Sequence, residues 1–186
     1  MHGGTMSARA AAVAAGLVVA LVALGGTAWT ASGSSPDGVG PAAAPPRVPD
    51  DGAGDQTVTI SDGAADHPAA QLVLEQVQLY FNAINGRDHA TWTRVVSPER
   101  AEQQPRDVWL DGVGTTTDGT IRVDRIDPAP GGGVVALVRF VSVQNPEDGP
   151  PGLQVGRICW QATYPMAGSP PRILVGDPGG ILGAPC

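Results

Sequence analysis

The apolar residues of this chain change their spacing once, and that change limits the folds open to it. From Asp66 onward Val73, Val77, Tyr80, Phe81 and Ile84 recur three or four positions apart, the period of one buried helical face. After Gly114 the pattern becomes that of strands. "GTIRVDRI" (119–126), "GVVALVRFVSV" (133–143), "LQVGRICWQATY" (153–164) and "RILVG" (172–176) are separated by Gly, Pro and Asp turns. β-Branched runs of that length with short connections predict an antiparallel meander. Helices first and a curved antiparallel sheet second make an α+β layer arrangement. Aromatic residues are only 4% of the chain, so each marks a core landmark.

Local signals refine this outline. Asp66 is placed to cap the first helix, with Pro68 in its opening turn. "NGRD" ends that helix: Gly86 suits the left-handed position, and Asp88 caps a second helix from His89. The second helix presents Trp92, Val95 and Val96 on one side. "SPER" (97–100) supplies a Ser cap with Pro at the first helical position, and a short third helix is expected to about Leu110. Strand 133–143 is apolar on both faces apart from Arg139 and Ser142, which predicts a central strand covered on both sides. In 153–164 alternation sends Ile158, Trp160, Ala162 and Tyr164 to the core and Cys159 to the reverse face.

The chain before residue 66 has a different character. Residues 10–28, "AAAVAAGLVVALVALGGTA", carry no charge and follow Arg9. At about 1.5 Å rise per residue such a run nearly crosses a hydrocarbon core of about 30 Å. The next basic residue is Arg47, so the positive-inside rule puts residues 1–9 in the cytoplasm and everything after residue 30 outside. Two readings stand. Residues 10–29 form a single-pass anchor in the cell membrane with Trp29 at the interface, or they form a signal segment and the rest is secreted after cleavage. Residues 30–65 are rich in Gly, Pro, Ser and Ala and read as a flexible linker, with "TVTI" (57–60) as a strand-like patch able to pair with the edge of the domain at 66–186.

The net charge of −7 comes with dispersed arginines and no lysine. Nucleic-acid binding calls for a clustered basic face, so no nucleic-acid partner is expected.

"VQLYFNAINGRDHATWTRVVSPE" (77–99) resembles the helical opening of the nuclear-transport-factor-2-like (cystatin-like, SnoaL-like) superfamily. Its members begin with an aromatic-bearing helix, a turn of this kind and a second helix ending at "SP". The later strands, including one with a Trp near the end, also fit, and the likeness covers about residues 68–177. The chain is similar to membrane-tethered actinobacterial proteins carrying this domain outside the membrane. The resemblance implies a cone with an apolar pocket, used in some members for acid–base chemistry and in others for binding alone. It also implies a homodimer through the open sheet face as one option, which the tether and tail would obstruct.

The residues weigh against most chemistries. His2 precedes the membrane segment, and His67 and His89 stand at helix starts, expected exposed. "PGGGVV" (130–135) lacks the Lys and helix of a phosphate loop. Ser97, Ser142 and Ser169 have no nearby His, and two cysteines without a His cluster make no zinc site, so neither metal nor cofactor is expected. The candidate carboxylates are Asp107, Asp111 and Asp124, one of which would need burial in an apolar pocket to act as a base. Asp124 is flanked by Arg122 and Arg125, while Asp107 and Asp111 read as helix-terminal residues. Candidate pocket residues are Tyr80, Trp92, Trp109, Arg139 and Trp160. Arg139 needs an acidic partner such as Asp107, or an anionic ligand.

Two cysteines in an extracytoplasmic domain favour one disulfide, Cys159 to Cys186. It would fold the Gly/Pro-rich tail back across the outward face of its strand, with Ile181 and Leu182 covering apolar surface. Two free thiols, or a terminal thiol joining two chains, are the alternatives. The expected function is a membrane-anchored, non-enzymatic domain binding a protein partner or small apolar ligand at the cell envelope. The alternative is an isomerase-, cyclase- or dehydratase-like enzyme using a pocket carboxylate.

Overall fold

The computed structural model describes residues 52–186, so the expected anchor at 10–29 lies outside the described residues. Among those described, no helix is long and apolar enough to cross a membrane. The elements run β1 (Thr59–Ile60), α1 (Asp62–Ala65), α2 (Ala70–Asn85), α3 (His89–Val95), α4 (Pro98–Gln103), α5 (Arg106–Val113), β2 (Thr117–Pro128), β3 (Val134–Val143), β4 (Arg157–Ala167), β5 (Arg172–Ile173) and β6 (Ile181–Pro185). This is an α+β fold in which helices pack on one face of a curved, open, mixed sheet.

The sheet order is β1-β2-β3-β4-β5, with β6 on β4. β2, β3 and β4 form the antiparallel meander read from the sequence, while β1 lies parallel to β2, pairing Thr59 with Arg122 and Ile60 with Val123. That pairing corrects the linker boundary. Residues from Gly52 belong to the fold: Ala53 and Val58 are buried, and the Thr120 N–H and hydroxyl donate to Asp55 O and Ala53 O, both at 2.7 Å. A single buried valine and these backbone contacts outweigh a polar composition.

Helix ends also differ in detail. Asp66 closes α1, which Ser61 caps, and α2 starts at Ala70 without a side-chain cap. Gly86 keeps a helical backbone; Arg87 takes the left-handed position at φ 56°. That unusual choice is stabilised by its guanidinium, which donates to the carbonyls of Ile84, Asn85 and Gly114 at 2.8, 3.1 and 2.8 Å. Asp88 and Ser97 cap α3 and α4 as expected. The expected third helix is two: Pro105 disfavours a helical Gln104, so the chain breaks and restarts as α5.

The core lies between α2–α3–α5 and the inner sheet face. Val73, Val77, Phe81 and Ile84 are buried, with Phe81 against Phe140 at 4.9 Å between ring centroids. Each such side chain contributes roughly 1.5–3 kcal/mol by leaving water. β3 is central, as predicted, but is not covered on both sides. Ala136, Val138, Phe140 and Ser142 are buried on the helix side; across the strand Arg139 is exposed, and Val135, Leu137 and Val143 are only partly covered. Among the described residues, Val141 is the one outward residue of β3 that is buried.

Cys159 and Cys186 form a disulfide with Cα atoms 5.1 Å apart. The tail does not cross the face of β4 as expected. It extends the sheet as β6, pairing Ile158 with Pro185 and Ala162 with Ile181. Ile181 and Leu182 therefore stay exposed, at 47% and 65%, instead of covering apolar surface. The backbone N–H and C=O groups of β4 need partners, and a strand supplies them where a folded-over tail would not.

Candidate functional site

Three concavities border the sheet. On the inner face, a cavity of about 200 Å³ opens between α2, the end of α5 and β2–β4. Its walls are apolar (Phe81, Ile84, Val113, Phe140), and its polar floor is Asp118, Ser142, Thr116 and Gln144. A second cavity of about 250 Å³ shares Tyr80, Tyr164 and Ile181 with it and is bounded by Arg100, Gln104 and Asp177. A larger, open groove of about 750 Å³ runs over the outer face, bordered by Thr57, Thr59, Arg122, Arg139 and Val141.

Asp118 is the residue that the sequence reading missed. It is 3% exposed and paired across strands with Ser142, whose hydroxyl donates to Asp118 Oδ1 at 2.5 Å. Asn85 of α2 grips the aspartate backbone from both sides, accepting from Asp118 N at 2.8 Å and donating to Asp118 O at 2.9 Å. Burial pushes the carboxyl up from its ordinary 3.8 to about 6, against the opposing pull of the Ser142 hydroxyl and the Arg87 charge. A register shift between Gly119 and Arg122 explains why alternation hid it. The bulge puts even-numbered Asp118 on the same buried face as odd-numbered Ile121 and Val123. The strand predicted at 119–126 also began two residues too late, since β2 starts at Thr117.

Above the floor stand two tyrosines, 5.4 Å apart between ring centroids. Tyr80 lines both inner cavities, as a candidate pocket residue should, and is 8% exposed. Burial first, and then the neighbouring Tyr80, push the Tyr164 phenol well above its usual range, so it stays a protonated donor. Facing Asp118 across the floor, the Gln144 side-chain nitrogen is buried without a hydrogen-bond partner, while its oxygen takes the Thr116 hydroxyl at 3.5 Å. A buried amide donor left open in a cavity is the chemistry of a site awaiting an acceptor.

The other candidates are dispersed. Trp160 borders the first cavity. Trp92 and Trp109 line none of the three; they pack together at 5.6 Å with His89 stacked on Trp92, forming helical core instead of pocket. His89 is half-buried, its Nε2 3.0 Å from Gln104 O, and His67 Nδ1 accepts from Ala69 N at 3.1 Å; neither is the exposed residue expected. Asp107 and Asp111 are exposed on α5 and border no cavity. Asp124 is on the outer face, 3.2 Å from Arg122 and held bidentately by Arg139. Arg139's partner is thus Asp124 and not Asp107, and both arginines are at least half exposed. The Asp124 hydrogen bond and charge raise the Arg139 pKa above its ordinary value. Among the described residues no group of three His, Cys, Asp or Glu side chains is placed to hold a metal.

No protein-family model matches the chain, and neither a curated protein nor a solved structure does.

Proposed function

We propose that the protein is a membrane-tethered, extracytoplasmic, non-enzymatic domain of the nuclear-transport-factor-2-like type, binding a small, largely apolar ligand in the cavity over Asp118. The observation that carries the reading is the buried Gln144 side-chain nitrogen, without a hydrogen-bond partner among the described residues, beside a cavity with apolar walls. A hydroxyl or carbonyl on the ligand takes that donor, and the aromatic walls take its body. The helix-then-sheet order supports the fold type. The disulfide supports a compartment outside the cytoplasm.

The test is a titration of the detergent-solubilised full chain with phenol and other single-ring alcohols, read by tryptophan fluorescence. Wild type is expected to bind and Gln144→Leu to bind at least about fivefold more weakly, as loss of one buried hydrogen bond implies. Equal binding by both proteins, or none by either, overturns the reading. Carbonate extraction of native membranes tests the tether; a released protein starting near residue 29 contradicts it.

A second reading, an isomerase-, cyclase- or dehydratase-like enzyme, draws on Asp118 itself. A carboxyl at about 6 in an apolar cavity is suited to accepting a proton from carbon. Asp118, not Asp107, Asp111 or Asp124, is then the base. Deuterium exchange beside the carbonyl of a small cyclic ketone, abolished by Asp118→Asn, would carry this reading, and its absence in wild type removes it.

A further inference from the structure

Arg100 stands in the second inner cavity as a cation without a counter-ion. Ser97 Oγ accepts from Arg100 N at 3.2 Å, and Ser97 N donates to Ile173 O at 2.9 Å, so the first turn of α4 is pinned to β5. The guanidinium is half-buried and lies 5.5 Å from the centre of the Tyr80 ring. Two of its five N–H groups are used, both on neutral oxygens: Nη1 donates to Leu174 O at 3.2 Å and Nη2 to Tyr80 Oη at 3.1 Å. Among the described residues it makes no ion pair with any carboxylate, Asp177 at the same cavity included. Glu99 and Glu102, on its own helix, point to solvent as exposed residues. The other arginines with carboxylate partners (Arg122, Arg125 and Arg139) are at least half exposed. Arg100 is more sheltered than these three, yet has no carboxylate within ion-pair distance among the described residues.

A guanidinium fork with free N–H groups in a partly dry cavity matches a planar carboxylate, which takes two parallel hydrogen bonds and supplies the missing charge. Tyr164, its phenol protonated, lines the wall where the two cavities meet. We propose that the cavity at Arg100 seats the carboxylate of a small organic acid, so that the ligand of this domain is an apolar body with one anionic end. The proposal deepens the ligand-binding reading and rests on it.

The probes are benzoate and benzyl alcohol, which share a ring and differ in charge, titrated into the full chain and read by tryptophan fluorescence and isothermal calorimetry. Benzoate is expected to bind at least about tenfold tighter than benzyl alcohol to wild type. Arg100→Gln should remove that preference, Arg100→Lys should restore part of it, and Asp177→Asn should tighten benzoate alone by removing a like charge from the cavity. Asp177→Asn touches no packed residue, which keeps the test decisive if the Arg100 variants fold poorly. Binding of both probes with equal affinity, unchanged in Arg100→Gln and Asp177→Asn, overturns the carboxylate seat and leaves the cavity over Asp118 standing. Binding of neither overturns both.

Discussion

Asp118 and Asp124 share a strand, yet the fold gives them opposite surroundings. Asp124 faces out, clasped by Arg122 and Arg139, whose side chains are at least half exposed. Asp118 faces in, with a hydroxyl and an amide network instead of a cation in contact. The outer carboxylate sits among charges because solvent lets them gather cheaply. The inner one is shifted because the same hydrophobic layer that stabilises the domain disfavours its ionised form. One face of the sheet is thus a packed surface holding a buried carboxyl, and the other a more exposed surface holding an ion cluster.

The sharpest way to break this contrast is to empty the packed side. Phe81→Ala removes the ring set against Phe140 and should cost about 3–5 kcal/mol in a urea melt. A loss below about 1 kcal/mol would mean the inner face is not the packed one. Next comes the staple at the margin of the outer face. Replacing Cys159 and Cys186 by Ser opens a loop with a sequence separation of 27 and should cost roughly 3–4 kcal/mol by the chain-entropy argument. If the melting temperature does not change, β6 is held by its ladder to β4 alone. Intact mass without reductant should show no free thiol.

The carboxylates then test the contrast directly. With Asp118 at about 6 in the folded chain and 3.8 when unfolded, the folded state keeps its proton between those values while the unfolded state loses it. Stability should therefore fall as pH rises from about 4 to about 6, then level off, by a total of about 3 kcal/mol. Asp118→Asn should abolish that slope, and a variant that retains it places the slope in other groups. The smallest effect is expected outside. Asp124→Asn should change stability by less than about 1 kcal/mol, because exposed ion pairs contribute little. A double-mutant cycle with Arg139→Ala that returns a larger coupling would show the outer face to be drier than its exposure implies.

Much of the fold was legible from the chain. The helical face of Val73 to Ile84, the Asp88 and Ser97 caps and the order of β2, β3 and β4 all follow from local rules that the core obeys. What escaped did so for specific reasons. Residues 52–65 read as linker because composition says nothing of the one buried valine that a parallel edge pairing can offer. Asp118 sits in "TTTDGT", just ahead of the strand predicted from Gly119, and strict alternation assigns it the wrong face. Asp124 stood out in the sequence because of its arginine neighbours, which are the feature that keeps it on the solvated side. The scarcity of aromatics singled out Tyr80, Trp160, Trp92 and Trp109 alike; the first two border a cavity and the last two pack against each other.

The sequence by itself determined where helix gives way to strand, which residues cap, and that Cys159 has Cys186 as its one partner within the chain. Those are local or pairwise properties, set by periodicity, turn chemistry and a count of thiols. Only the tertiary structure decided which face of each strand meets the helices, and with it which aspartate lies in a cavity. A single bulge reverses that choice, and it lies where residues 53–55 dock on Gly119, which has no Cβ to block them, and on Thr120.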